Sequence, residues 1–225
     1  MSVNLVQMQT NLFNLLYSLI IFFSLSQELI AEYQMIINRV KRELVVTDPN
    51  ANIILRTSIG IGRGGMGKKK SMADLITPTG DFKVDLILSE NPQFNKISSE
   101  VRDRYRSNPE YYKLVKDQLG LQKLFSNMNS IDFDQDGKAD NAYGVAYIGL
   151  DSENVLTGPK LEKYKDKVPY WFSIALHNTP EIANIGQANS GGCVHLKADV
   201  ILKLIESGIL KIGSKVQIVD GSGQY

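Results

Sequence analysis

Apolar and polar positions alternate along much of this 225-residue chain, a pattern that predicts β-strands. Two β-branched runs within 43–62 flank the turn cluster Asp48-Pro49-Asn50 and predict a hairpin. Further strands are predicted at 81–88, 142–150, 171–176 and 215–219. Helical spacing is confined to 28–42, a polar stretch at about 100–128, and 198–206. We therefore expect a mostly β protein with few short helices.

The N-terminal segment differs from the rest because residues 1–27 carry no charged side chain and residues 12–25 are almost continuously apolar. An apolar run of about 14 residues fits a signal peptide better than a membrane span, which needs about 20. The usual basic start of a signal peptide is missing, so an uncleaved anchor and a buried hydrophobic helix stay open. We expect residues 1–26 to be a signal peptide or membrane anchor, followed by a helical connector at 27–42.

Composition narrows the classes of function. The chain is 43% hydrophobic and 22% charged, which is typical of a globular domain. Its formal net charge of +1 gives no electrostatic reason to expect a nucleic-acid partner. A single cysteine excludes an internal disulfide framework, so Cys193 is an inert core residue, a stray thiol or a nucleophile.

A glycine-rich stretch at 60–70, GIGRGGMGKKK, which we call the basic loop, matches two nucleotide-binding patterns only in part. Lys69 stands where a P-loop needs Ser or Thr, and the following residues break at Pro78 and Gly80 before a helix is established. We therefore interpret the basic loop as a flexible connection between strands.

The stretch DFDQDGKAD at 132–140 resembles the beginning of a calcium-binding loop, because alternate oxygens can converge on one ion while Gly137 allows a sharp turn. Position 12 of such a loop is Tyr143 rather than glutamate, so a structural calcium site and an unmetallated polar turn both stay open. We expect no cofactor for catalysis. The expected calcium ligands are Asp132, Asp134, Asp136, Lys138 and Asp140.

Cys193 follows two glycines and lies within about twenty positions of both histidines, His177 and His195. A thiol becomes a nucleophile when an imidazole takes its proton and backbone N–H groups receive the oxyanion. Gly191 and Gly192 leave the sulfur accessible and free the backbone to turn. A small buried hydrophobic cysteine is the alternative. Zinc binding through Cys193 and both histidines is disfavoured because a structural site needs four ligands.

These motifs resemble the L,D-transpeptidase catalytic domain (YkuD family), whose signature is His-Gly-Thr/Ser followed by Ser/Thr-His-Gly-Cys-hydrophobic-Arg/Asn. Here the first element is His177-Asn178-Thr179 and the second is Ser190-Gly191-Gly192-Cys193-Val194-His195. ITPTGDFKV at 76–84, VPYWFSIALH at 168–177 and GSKVQIV at 213–219 are similar to three of the family's strands. The resemblance covers roughly residues 41–220.

The resemblance implies a β-sandwich or β-barrel over 43–220, with an insertion at about 90–165, preceded by an N-terminal hydrophobic helix. It also implies that a nearby imidazole, from His177, ionises Cys193, and that the N–H groups of Gly192 and Cys193 form the oxyanion hole. Compared with the family, Gly191 replaces histidine, Asn178 replaces glycine and His195 replaces arginine or asparagine. The residues expected to contact substrate are Ser190, Gly191, His195, Asn178 and Thr179.

The function implied is that of an exported periplasmic or cell-envelope enzyme that acts on peptidoglycan stem peptides. An acyl-enzyme on cysteine would pass the stem to an amine, giving a 3-3 cross-link, or to water, giving carboxypeptidase activity. One alternative is a catalytically altered envelope protein that acts as a peptidoglycan-binding, calcium-braced module. With either function, the N-terminal segment could tether the protein to the membrane. Another is a cysteine peptidase or amidase of a different fold.

Overall fold

A computed structural model of the protein describes residues 32–70, 72–150 and 174–221, and residues 33 onward form one compact unit. The described strands are β1 (Gln34–Asn38), β2 (Glu43–Thr47), β3 (Ile53–Ser58), β4 (Ile61–Gly62), β5 (Gly80–Ser89), β6 (Lys96–Ile97), β7 (Ala146–Leu150), β8 (Ala175–Asn178), β9 (Ala188–Ser190), β10 (Val194–Leu196) and β11 (Lys215–Val219). The helices are α1 (Ser99–Arg104), α2 (Pro109–Val115), α3 (Gln118–Asn129) and α4 (Ala198–Glu206), with 3₁₀ turns at Met72–Asp74, Pro92–Phe94 and Ile182–Asn184.

Nine of these strands form one mixed sheet in the order β10-β8-β7-β5-β11-β1-β2-β3, with β6 added to β5. β4 and β9 form a separate parallel pair. Within the large sheet, β1 pairs in parallel with β11 and β8 pairs in parallel with β10, whereas the other pairs are antiparallel. The expected mostly β architecture with few short helices is confirmed.

Two apolar clusters cover β5 from opposite sides. Ile87 belongs to the cluster that includes the apolar face of α4, whereas Leu86 and Leu88 belong to the cluster formed with helices α1 to α3. Successive strand residues point to opposite faces, so a strand buried on both faces needs apolar residues at consecutive positions. The run Leu86, Ile87 and Leu88, each at most 2% exposed, meets that need.

Most of the predicted elements are present. The hairpin at Asp48 is formed by β2 and β3, with Val46 opposite Leu55. Strands β5 and β11 and helix α4 lie where the pattern predicted them. The helical stretch at 100–128 is divided into α1, α2 and α3, since Pro109 and Asp117 begin new helices. Strand β8 begins at Ala175, and the predicted strand residues 171–173 lie outside the described part.

The helical connector predicted at 27–42 is wrong over Gln34–Asn38, which is strand β1. Met35 and Ile37 are 2% and 0% exposed, whereas Gln34 and Ile36 are less buried. β1 pairs with β2 on one side and β11 on the other, so its backbone is hydrogen-bonded on both sides. Pairing within the sheet therefore outweighs the local helical spacing. Residues 27–31 lie outside the described part.

The predicted insertion at 90–165 is too wide. Helices α1 to α3 connect β5 to β7, but β7 itself is a strand of the large sheet, between β5 and β8. The end of the predicted insertion, from 151, lies outside the described residues, as do the signal or anchor segment at 1–26 and the hydrophobic helix expected there. In the part of the chain that the structure describes, no helix has the length and apolarity needed to cross a membrane.

Candidate active site

Strands β8 and β10 bring the two histidines together. The strands are parallel, and His195 lies directly opposite His177. Their imidazole centroids are 4.7 Å apart. Cys193 immediately precedes β10, two positions before His195, and its thiol meets the backbone of Ala175, two positions before His177. Side chains two positions apart along a strand share a face, so Cys193, His195 and His177 all belong to the same side of this strand pair.

No hydrogen bond joins the thiol of Cys193 to the imidazole of His177 among the contacts of the described residues. Cys193 is partly exposed and packs against the apolar cluster under α1 to α3. Transfer of the thiol proton to His177 would require the two groups to approach further. Catalytic hydrogen bonds often form fully only in the substrate complex.

His177 is 4% exposed and has aromatic neighbours. Tyr143 meets its ring edge-on at 5.0 Å, and Tyr147 stacks at 6.3 Å. The carbonyl of Asn178 lies 3.0 Å from Nδ1. A carbonyl only accepts hydrogen bonds, so Nδ1 carries the proton and Nε2 keeps the lone pair. The atom of His177 that can receive a proton from a thiol is therefore Nε2.

Both imidazoles are neutral at physiological pH. Burial and, to a smaller extent, the neighbouring His195 lower the pKa of His177 to about 3. The carbonyls of Asn178 and Ala142 oppose the shift. Burial also lowers the pKa of His195 to about 4, although the Glu181 carboxylate favours its charged form. These shifts follow because a buried cation loses its hydration.

The thiol is also neutral in the free molecule. Burial raises the pKa of Cys193 to about 11, despite a backbone hydrogen bond to Ala175 and the charge of Lys69, which both lower it. The two pKa shifts disfavour a thiolate–imidazolium pair in the free protein, and ionisation of the sulfur by the imidazole stays a prediction.

The loop before Cys193 is braced by the hydroxyl of Ser190. The Ser190 hydroxyl donates to the Cys193 carbonyl at 2.6 Å and accepts the Gly192 N–H at 3.0 Å. In the free protein the Gly192 N–H is thus already used, and its role in an oxyanion hole stays a prediction. Ser190 is 2% exposed, and its contact with substrate likewise stays a prediction. The Cys193 N–H makes no hydrogen bond to another described residue and is the oxyanion donor that remains.

The side chains of the two residues that follow His177 accept hydrogen bonds from backbone N–H groups. The Asn178 side chain is 5% exposed, and its Oδ1 accepts the N–H of Val145. A Cβ on Gly144, whose φ is +53°, would lie 2.1 Å from that oxygen, so only glycine fits there. Thr179 is 8% exposed, and its hydroxyl accepts the N–H of Glu181 at 3.2 Å. The substrate contacts expected of Asn178 and Thr179 stay predictions.

His195 and Gly191 have opposite surroundings. His195 is 9% exposed, and its Nδ1 is buried without a partner among the described residues. Contact between His195 and the substrate stays a prediction. Gly191 is exposed, and a Cβ placed on it meets no atom within 4 Å. Of the five predicted substrate-binding residues, only Gly191 faces open space.

The basic loop is ordered rather than flexible at both ends, which corrects the sequence interpretation. Gly60 exchanges two backbone hydrogen bonds with His195, at 2.9 and 3.0 Å, and β4 pairs with β9. Lys69, at the other end, is buried, and its ammonium pairs with Asp74 at 2.9 Å. The glycines lead to a 3₁₀ turn at Met72–Asp74 rather than to a helix, which disfavours phosphate binding.

Three of the five predicted calcium ligands come together after α3. Ligand oxygens of Asp132, Asp134 and Asp136 all lie within 4.8 Å of one another. Lys138 and Asp140 are outside this group, and the Asp140 carboxylate accepts the N–H of Phe133 at 2.6 Å. The three carboxylates are oxygen ligands of the kind calcium prefers, so they fit such an ion, and the roles of Lys138 and Asp140 as further ligands stay predictions.

Residues 32–218 match the family model YkuD, described as the L,D-transpeptidase catalytic domain. The chain belongs to the YkuD family. The match begins at residue 32, nine residues before the expected start of the resemblance at about 41, and it includes β1. No curated protein matches the chain.

Solved structures that resemble this YkuD domain include Bd1075 from Bdellovibrio bacteriovorus, with 20% identity and a TM-score of 0.45, over 87% of this chain and 50% of that one. An L,D-transpeptidase from Mycobacterium smegmatis has 11% identity and a TM-score of 0.42, over 84% and 59%. The helical cell shape determining protein Pgp2 from Campylobacter jejuni has 14% identity and a TM-score of 0.44, over 85% and 49%. The chain thus spans about half to three fifths of the length of these proteins.

Sequence reasoning missed two residues near Cys193 of this YkuD domain. Thr77 donates its hydroxyl to the Gly192 carbonyl at 2.8 Å and accepts the Gly62 N–H at 2.8 Å. It lies within ITPTGDFKV, which was assigned only to a strand. Lys69 is one of three consecutive lysines, and nothing in that run distinguishes the buried one from Lys68 and Lys70.

Proposed function

We propose that this YkuD domain is a peptidoglycan L,D-transpeptidase that forms an acyl-enzyme on Cys193. The observation that carries the proposal is the placement of Cys193 beside β8, on the side of the strand pair that bears His177. The Cys193 thiol, a neutral imidazole with its lone pair on Nε2 and an unused N–H on Cys193 supply the three groups that acyl transfer needs.

In the acylation step, the Cys193 sulfur attacks the carbonyl that joins the third stem residue to the terminal D-alanine. The thiol proton passes to His177 Nε2 as the carbon–sulfur bond forms. The carbonyl oxygen becomes an oxyanion and accepts the Cys193 N–H. When the intermediate collapses, the carbon–nitrogen bond breaks, and the amine of D-alanine leaves with the proton from His177. A thioester remains on Cys193.

In the second step, an amine from a neighbouring stem attacks the thioester and gives up its proton to His177. The carbon–sulfur bond breaks, and the sulfur recovers a proton, so the enzyme returns to its starting state. This amine gives a 3-3 cross-link. Attack by water in the same position gives a shortened stem and L,D-carboxypeptidase activity.

The substrate defines where this chemistry takes place. Peptidoglycan stem peptides lie outside the cytoplasmic membrane, so the proposed location is the periplasm or cell envelope. The apolar, uncharged segment at 12–25 supports export or tethering of the domain.

Analysis of stem peptides by mass spectrometry tests this proposal. Purified protein is incubated with disaccharide-tetrapeptides, and the products are separated and weighed, with Cys193→Ala as the control variant. We expect 3-3 dimers, or tripeptides if water is the acceptor, from the wild type alone. Unchanged tetrapeptides with wild-type protein would contradict both forms of the activity.

The alternative is a catalytically altered peptidoglycan-binding module, and the raised pKa of Cys193 is the observation that favours it. A carbapenem separates the two functions because it acylates a reactive active-site thiol. An enzyme gains the mass of the drug in the wild type and not in Cys193→Ala. A binding module gains none but sediments with purified sacculi.

We also propose that the Asp132, Asp134 and Asp136 group binds calcium in a structural role. Hard oxygen ligands on an exposed loop support bracing rather than thiol activation. Calcium should raise the melting temperature of the wild type and not that of Asp134→Asn. An equal shift in both, or in neither, would contradict a site here.

A further inference from the structure

Lys69 has unusual surroundings for a lysine. Its side chain is 3% exposed, whereas the neighbouring Lys68 and Lys70 are exposed. The ammonium donates to Asp74 Oδ1 at 2.9 Å and to the Ile76 carbonyl at 3.0 Å. A buried lysine is rare unless it is paired, and these two acceptors offset part of the cost of its burial.

The ammonium lies against the loop that carries the nucleophile. A Cβ placed on Gly192 would be 3.5 Å from Lys69 Nζ and 3.2 Å from the Ile76 carbonyl oxygen. Gly192 has a φ of +122°, and its carbonyl is fixed by the Thr77 hydroxyl. The basic loop and the residues after it thus place a positive charge next to the residue that precedes Cys193.

This placement does not arise from a loose side chain. Arg39, which is 1% exposed, donates to the carbonyls of Met66, Gly67 and Thr77, on both sides of Lys69 in the chain. Its other partner is the Asp220 carboxylate, just after β11. The backbone that carries Lys69 is therefore attached to the large sheet.

The remaining titratable groups around the thiol do not supply a positive charge at neutral pH. His177 and His195 are neutral there, and Tyr143 and Tyr147 form the aromatic wall of the same cluster. Asp74 carries the opposite charge and holds Lys69.

We infer that Lys69 is a positioning residue that stabilises the negative charge developing on the Cys193 sulfur during acyl transfer. The inference rests on the proposed function. It adds a residue that lies outside the two sequence motifs containing His177 and Cys193. Lys69 does not exchange a proton with substrate. Its charge favours the thiolate, in agreement with the direction in which it moves the pKa of Cys193.

The test measures how fast iodoacetamide alkylates Cys193 between pH 7 and 9.5 in the full chain. Below the thiol pKa the rate follows the thiolate fraction, which changes tenfold per pH unit. Lys69→Met removes the charge and should slow alkylation about tenfold at each pH, since a nearby charge shifts a pKa by about one unit or more. Lys68→Met makes the same change on an exposed neighbour and should leave the rate unchanged.

Asp74→Asn provides a test of sign. It breaks the same ion pair but leaves the ammonium in place, so the thiol should be alkylated faster than in the wild type. A purely structural role for the pair predicts that both variants change the rate in the same direction. That result, or an unchanged rate in Lys69→Met, would overturn the inference. Circular dichroism spectra identify any variant that fails to fold, and Asp74→Asn then decides alone.

Activity separates this inference from the proposed function. If the wild type forms no acyl-enzyme with stem peptide, the proposed function fails whatever the alkylation rates are. If the wild type is acylated but Lys69→Met and Asp74→Asn are alkylated and acylated at wild-type rates, the function stands and the role of Lys69 is wrong. We expect slower acylation in Lys69→Met, in parallel with its slower alkylation.

Discussion

The two sides of Cys193 differ in charge. On the β8–β10 side are two buried imidazoles, His177 and His195, against tyrosine rings, and both imidazoles are neutral at physiological pH. On the side of the basic loop, Lys69 and Asp74 form a buried ion pair held by hydrogen bonds to the backbone. The groups able to accept a proton and the group able to stabilise a negative charge therefore come from different parts of the chain.

This difference separates two tasks that one histidine often performs. In a thiolate–imidazolium pair, the imidazole both takes the proton and supplies the positive charge. Here burial keeps His177 neutral until it receives the proton, so the standing charge beside the thiol is that of Lys69. The variants below break one side at a time.

Replacing His177 by glutamine should have the largest effect. Loss of a general base lowers turnover by about 10²- to 10⁴-fold, so we expect acylation by stem peptide to fall in that range. Because His177 is uncharged in the free protein, the pH dependence of iodoacetamide alkylation should stay at its wild-type position. A shift of that dependence to higher pH in His177→Gln would show that the imidazole stabilises a resting thiolate.

The neutral histidine side should also make the fold sensitive to acid. Unfolded imidazoles titrate near 6.5 and the folded ones near 3 and 4, so the unfolded state binds more protons in between. The free energy of unfolding should therefore decrease as the pH falls from 7 to 5, by about 2 kcal/mol for each imidazole. Urea unfolding at both pH values measures this change.

His195→Asn is the control for this titration, since it removes one of the two imidazoles. Its loss of stability between pH 7 and 5 should be about half that of the wild type. An equal loss in both proteins would show that groups other than the imidazoles titrate. It would weaken the distinction between the histidine side and the Lys69 side of Cys193.

Alanine substitutions at two adjacent glycines should give the smallest effects, measured as changes in the free energy of unfolding. Gly192 has a φ of +122°, and a Cβ there would lie 3.2 Å from the Ile76 carbonyl oxygen, so Gly192→Ala should lower the free energy of unfolding by about 1–3 kcal/mol. Gly191 faces open space, and Gly191→Ala should change it by less than about 0.5 kcal/mol. Urea denaturation compares the two variants. Equal stabilities would show that the loop is not fixed against Ile76.

The sequence predicted those elements whose local pattern agrees with their tertiary surroundings. In β11 and α4 the buried positions follow the strand and helix periods, and both elements begin and end at the predicted residues. The helical connector predicted at 27–42 was wrong over β1. The helical spacing there conflicts with the pairing of β1 to β2 and β11, which a linear pattern does not record.

The site was predicted only in part for a similar physical reason. The motif spacing indicates which residues gather around Cys193, but not the direction of each polar group. The Gly192 N–H points to Ser190, and Asn178 turns to Val145, because of hydrogen bonds formed only in the fold. Lys69 is buried because Asp74 and the Ile76 carbonyl accept hydrogen bonds from its ammonium, whereas Lys68 in the same run is exposed.

The most direct test of the central claim is the intact mass of the protein during turnover of a tetrapeptide stem. We expect the wild type to gain the mass of the stem without its terminal D-alanine, on the tryptic peptide that contains Cys193, while Cys193→Ala gains none. A wild type that shows no added mass although it binds the stem would contradict acyl transfer through Cys193 and His177.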